Sequence, residues 1–248
     1  MRYVMMLLIA ATPFAAAGAT GAASQPPATA VVAPVDLSGY WELGLDSRHI
    51  PSAKLLPSVT AAMIAAHASA DAHALRWCNL IGMPSLMDSG RPLNIRQGTR
   101  ELVIVTNIMN VQPRHIYLDR TQHIGSDDFD PSTTGDSIGH WEGNTLVVDT
   151  IGFSPTRGLT AIPGGGYRTD SSHLVERFEL RNAGSILMVS STWTDPKVFA
   201  SPQTYVYRYY RMPEKFDPAP AIDCNPFDAS RTAFLEGTDS LEEMSHAP

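Results

Sequence analysis

The sequence predicts a mainly β protein, an antiparallel up-and-down β-barrel with one long helix near its N-terminus. Three observations lead there. From Trp77 to Met212 apolar and polar residues alternate with period two, broken at short intervals by turn residues. A single Ala-rich stretch, Leu56 to Trp77, carries a helical pattern. Strands joined by hairpin turns leave exposed edges, and closing the sheet removes them.

The first residues stand outside that fold. Arg2, the apolar "VMMLLIAATPFAAA" and a small-residue stretch before Ser24 make residues 1–23 a cleavable signal peptide, too short and Ala-rich in its apolar core for a membrane span. A periplasmic or secreted protein follows. "SQPPATAVVAP", 24–34, reads as a disordered lead-in, which leaves 35–248 as a single barrel domain.

A formal charge of −7, with no cluster of Lys or Arg, argues against nucleic acid and anionic membrane surfaces as partners. Cys78 and Cys224 are far apart in a chain that leaves the cytosol, so a disulfide is expected; two free buried thiols are the alternative.

The elements run as follows. "DLSGYWELGL" is the first strand. The helix over Leu56–Trp77 has Ser58 or Thr60 to cap it, and Val59, Met63, Ile64 and Ala66 to lay against apolar surface. Then come "ELVIVTNIM" and "RHIYLDR" around "NVQP", "SIGHWE" and "TLVVDTIGF" around Gly143-Asn144, "SHLVERFEL" and "SILMVSSTW" around "RNAG", and finally "QTYVYRYYRM". That makes about eight strands.

The opening "LSGYW" resembles the Gly-x-Trp strand that begins lipocalins and other calycins, which implies a lipocalin-like barrel. "RHIYLDR", "GDSIGHWEGNTLVVDTIGF", "HLVERFEL" and "TDPKVF" together resemble a group of uncharacterised secreted bacterial proteins. Members of that group pair a Cys ahead of "GMP" with a late Cys, as in "CNLIGMP" and "DCNPF" here. The resemblance supports the disulfide and the fold and implies no reaction.

Alternation then sorts the polar side chains. A two-residue Gly143-Asn144 turn sets Glu142 opposite Thr145, His140 opposite Val147 and Ile138 opposite Asp149 on one face. If that face lines the barrel, His140 and Asp149 form an enclosed acid/base pair, and Trp141 lies on the other face. Glu176 occupies the apolar side of "HLVERFEL", where a carboxylate needs a partner, and Arg114 is the first candidate. His115 and Tyr117 share a face of "RHIYLD" with Asp119, a set able to move protons without a cofactor. Tyr205 and Tyr207, with Tyr209, form an aromatic stripe suited to a pocket.

The catalytic candidates are therefore His140, Asp149, Glu176, Tyr117 and His115; the substrate-binding candidates are Arg114, Tyr205, Tyr207 and Trp141. No cofactor and no metal site is expected. The leading expectation is a cofactor-independent enzyme doing lyase, isomerase or hydratase chemistry on a small apolar or aromatic molecule. The alternative is a lipocalin-like carrier of an apolar ligand without catalysis.

Overall fold

The computed structural model describes residues 35–48, 50–76, 81–106, 112–125 and 128–213, so Cys78 and Cys224 lie outside the described residues. Among these, nine strands close into one barrel in chain order. They are β1 (Gly39–Leu43), β2 (Leu93–Gln97), β3 (Glu101–Thr106), β4 (Arg114–Tyr117), β5 (Asp136–Glu142), β6 (Thr145–Ile151), β7 (His173–Arg181), β8 (Ile186–Thr194) and β9 (Gln203–Arg211). Two α-helices precede β2: α1 (Ala61–Arg76) and the single-turn α2 (Ser85–Asp88).

The strand missing from the sequence reading is β2, "LNIRQ", whose short alternation of Leu93 and Ile95 hides between Pro92 and Gly98. Its presence changes the topology. A closed ring of nine strands cannot alternate direction all the way round, so at least one neighbouring pair must run parallel. That pair is β4 and β5, and every other pair is antiparallel. It falls there because residues 118–135 supply a connection long enough to carry the chain back along the barrel. The strictly up-and-down expectation is corrected accordingly.

The β5–β6 hairpin forms in the expected register, with Glu142 opposite Thr145, His140 opposite Val147 and Ile138 opposite Asp149. Gly143 at φ 58° takes the first turn position, where a left-handed backbone matches the twist of the two strands.

The interior is filled by side chains. Trp41, Phe178, Trp193 and Tyr209 are fully buried, with Leu93, Ile104, Leu146 and Val148 between them. Each such aliphatic or phenyl group contributes about 1.5–3 kcal/mol by leaving water.

Helix α1 flanks the barrel. Thr60 caps it, its Oγ1 accepting from Met63 N at 3.2 Å. The expected apolar face docks in part: Val59 and Ile64 are half-buried, whereas Met63 is 43 % exposed and Ala66 is exposed. His67, Asp71 and Ala74 continue the docking face from Ile64, at helical spacing. Asp71 is the anchor, accepting from Thr160 N (2.8 Å), Thr160 Oγ1 (3.0 Å) and Ala161 N (2.9 Å) in the β6–β7 loop. His67 stacks on Tyr167 with ring centroids 3.7 Å apart. A carboxylate meeting three loop donors outweighs the small apolar area that Ala side chains offer.

Arg168 staples the same region. Its buried guanidinium donates to the carbonyls of Ser154, Met83, Thr133 and Arg157 at 3.0, 2.6, 3.1 and 2.6 Å. Burial pulls its pKa down to about 10.

Candidate functional site in and around the barrel

Strand alternation brings polar side chains into the barrel among apolar ones. Gly139, Val148, Glu176, Ser191 and Tyr205 face one another from strand to strand in a single row. Glu176 is fully buried, as is Arg114, and Nη2 of Arg114 donates to Oε2 of Glu176. To reach β7 from β4, the Arg114 side chain passes over β5 and β6. On the way it donates to Thr150 Oγ1 at 3.0 Å and lies 3.4 Å from Ser137 Oγ. Two atoms of the pair, Arg114 Nη1 and Glu176 Oε1, are buried and have no hydrogen-bond partner.

The tyrosine stripe of β9 faces inward as well. Tyr205, Tyr207 and Tyr209 are each nearly or fully buried, and their rings touch edge to face or tilted, with centroids 5.1 and 6.1 Å apart. Their hydroxyls are engaged. Tyr205 accepts from Trp193 Nε1 at 2.6 Å, Tyr209 donates to Met87 O at 2.6 Å, and Tyr207 donates to Asp88 Oδ2 at 3.3 Å. Burial, more than the nearby carboxylates, pushes all three phenols well above their usual range, so they serve as neutral hydrogen-bonding groups.

Met87 and Asp88 belong to α2, which therefore covers this end of the barrel. Beside it opens a cleft of about 360 Å³ lined by Leu43, Ser47, Ile50, Asp88, Ser89 and Tyr207. Tyr207 thus belongs both to the cleft and to the buried stripe.

The acid/base pair expected inside the barrel is outside it. The register is as expected, but the His140 face points outward: His140 is 65 % exposed and contacts Glu142 at 3.3 Å. Leu146, Val148 and Thr150 take the inner side, because burying that set removes more apolar surface than burying Val147 beside two titratable groups. Glu142 is held below the usual carboxylate range, first by hydrogen bonding from Arg177 and then from His140. Trp141 lies at the rim of the inner face, half-buried, with Nε1 unpartnered.

Asp149 meets different histidines. Its Oδ1 accepts from His173 Nε2 at 2.9 Å and from His123 Nε2 at 3.0 Å. The other nitrogen of His123 lies 2.9 Å from Asp136 Oδ2, and Asp136 also accepts from Arg120 Nη1 and Ile124 N, both at 3.1 Å. The result is a chain, Arg120, Asp136, His123, Asp149, His173, that ties the β4–β5 connection to the outer wall. Sequence reasoning missed His123 and Asp136 because both lie at or beyond strand ends, where alternation gives no face.

His115 and Tyr117 are also on the outer wall. His115 Nδ1 donates to Glu101 Oε2 at 2.9 Å, and the Arg120 guanidinium sits 3.3 Å above the Tyr117 ring centre. Tyr117 and Arg120 line a second cleft of about 330 Å³ with Arg100, Glu101 and Asp119. Among the described residues no group of three or more His, Cys, Asp or Glu is placed to hold a metal ion, and no helix is long and apolar enough to cross a membrane.

No family model matches the chain, and no curated protein matches it. Among solved structures it is similar to the fluorescent protein UnaG, wild type, at 14 % identity and a TM-score of 0.34, over 71 % of this chain and 97 % of that one. It is also similar to a luciferase domain from the dinoflagellate Lingulodinium polyedrum, at 13 % identity and a TM-score of 0.34, over 80 % of this chain and 48 % of that one.

Proposed function

We propose that this protein is an exported barrel that binds a small, largely apolar or aromatic molecule at the end covered by α2. One observation carries the reading: the cleft beside α2 is floored by Tyr207, which continues inward through the tyrosine stripe toward the Arg114–Glu176 pair. The cleft sets Leu43, Ile50 and the Tyr207 ring beside Ser47, Asp88 and Ser89, apolar surface next to convergent polar groups that can orient a small molecule. Export follows from the leader read in residues 1–23.

Titration with anilinonaphthalene sulfonate tests the reading. Saturable binding at one site per chain is expected, and Ser89→Trp, which fills the cleft, should abolish it while leaving the circular dichroism spectrum unchanged. Binding that ignores the filled cleft overturns the assignment.

A second reading, cofactor-independent acid/base catalysis of the lyase, isomerase or hydratase type, is favoured by the two imidazoles on Asp149 Oδ1. Turnover of a small aromatic substrate that survives Ser89→Trp and disappears in Asp149→Asn would select it.

A further inference from the structure

The outer wall carries the second cleft, of about 330 Å³, which the binding reading above leaves unused. Tyr117 lines it, and Glu101 stands directly opposite that residue in the β3–β4 register. Arg100, Asp119 and Arg120 complete the lining. Two guanidinium groups and two carboxylates therefore share one small cleft, and their formal charges cancel.

Each guanidinium is held in place and keeps an unused edge. That of Arg120 lies 3.3 Å above the Tyr117 ring centre and donates through Nη1 to Asp136 Oδ1 at 3.1 Å. Its Nε and Nη2 have no hydrogen-bond partner among the described residues. Arg100 uses Nε on Asp119 Oδ2 at 2.5 Å, which leaves both terminal nitrogens. Asp119 is only 7 % exposed, so it fixes this arginine from within the wall. Glu101 meets His115 through Oε2 at 2.9 Å, and among the described residues nothing meets its Oε1.

We infer that this cleft binds a small zwitterion, an α-amino acid, with its carboxylate on the unused nitrogens of Arg100 and Arg120, its ammonium on Glu101 Oε1 and its side chain against Tyr117. The charges make the selection. A simple anion would meet the guanidiniums and also both carboxylates, and a simple cation would meet the same conflict in reverse. A zwitterion offers each unused edge the opposite charge, and a carboxylate suits the paired donors of a guanidinium. Directly opposed residues on neighbouring strands have Cβ atoms about 5 Å apart, close enough for one amino acid to reach both Glu101 and the guanidinium above Tyr117. Stacking and the bond to Asp136 have already restricted Arg120, which lowers the ordering cost of binding. The site is separate from the cleft beside α2 and stands or falls without it.

The test uses the whole protein and three probes with one aromatic body: L-phenylalanine, 3-phenylpropionate and phenethylamine, titrated at neutral pH and followed by NMR through the backbone amides of Glu101, Tyr117 and Arg120. L-phenylalanine is expected to saturate one site per chain and to bind about tenfold or more tightly than either singly charged probe, the fold-change that one hydrogen bond to a charged group supplies. The Glu101 side chain is 43 % exposed, so Glu101→Gln should keep the fold, and in that variant L-phenylalanine and 3-phenylpropionate should bind alike. Ser89→Trp, which fills the other cleft, should leave L-phenylalanine binding unchanged. No saturable shift with L-phenylalanine, equal binding of the three probes, tighter binding of either singly charged probe, a preference that survives Glu101→Gln, or loss of binding in Ser89→Trp each overturns the inference, and the comparison of probes on the unaltered protein decides it should the Glu101 variant not fold.

Discussion

Arg114 and Glu176 come from strands separated by two others, and the arginine crosses over both to reach its partner. Both side chains are fully buried, so each charge depends on the other. Removing one leaves an uncompensated charge in the core, whereas removing both leaves an apolar interior. Glu176→Leu alone should therefore lower stability by about 3–5 kcal/mol, and the double variant Arg114→Met/Glu176→Leu by much less. Chemical denaturation of the two singles and the double decides it; a double variant as unstable as the sum of the singles would show that the pair contributes nothing through mutual neutralisation.

Alkaline pH should unfold the protein through its tyrosines. Tyr205, Tyr207 and Tyr209 have folded pKa values raised above the unfolded value of about 10, chiefly by burial. Their stabilising contribution is fully present below about pH 10 and is lost as pH rises toward the folded values, at about 1.4 kcal/mol per pH unit for each. Arg168 acts in the opposite sense, since its folded value is lowered to about 10, but it is one group against three. Tyrosinate absorbance from these side chains should appear together with loss of circular dichroism, and Tyr205→Phe should flatten the pH slope by about a third. Gradual ionisation with the fold intact would contradict the burial of the stripe.

Helix α1 should detach on its own. It is mostly exposed and held chiefly by Asp71 and His67 at the β6–β7 loop. An isolated helix of this length is marginal in water. Asp71→Ala is expected to erase amide protection across α1 while β7 and β8 keep theirs, as hydrogen exchange would show. Parallel loss in the strands would mean that the helix is integral to the barrel.

The two histidines of the outer wall should differ in their importance to the fold. His140 is 65 % exposed, so His140→Ala should change stability by no more than about 0.5 kcal/mol. His123 is 18 % exposed and bridges Asp136 to Asp149, so His123→Leu removes a donor from a buried carboxylate and should cost about 1–3 kcal/mol. Equal effects in thermal or chemical denaturation would contradict the bridge.

How legible the site was depended on distance along the chain. "HLVERFEL" showed that Glu176 belongs with Leu174 and Phe178, because period-two geometry is local and an acid among large apolar residues needs a buried partner. His123 gave no comparable signal. It lies in a connection without periodicity, and its two aspartates come from the start of β5 and the middle of β6.

The amino-acid sequence by itself determined the mainly β class, the register of the β5–β6 hairpin around Gly143-Asn144, and the grouping of Tyr205, Tyr207 and Tyr209 on one side of their strand. Each follows from backbone geometry over a few residues. Only the tertiary structure decided the rest. Alternation says which side chains share a face, but which face is inside depends on the apolar area of all the strands together, and that sum sent Leu146 and Val148 inward and His140 and Asp149 outward. The parallel β4–β5 pair is equally non-local, because it follows from closing nine strands into one ring.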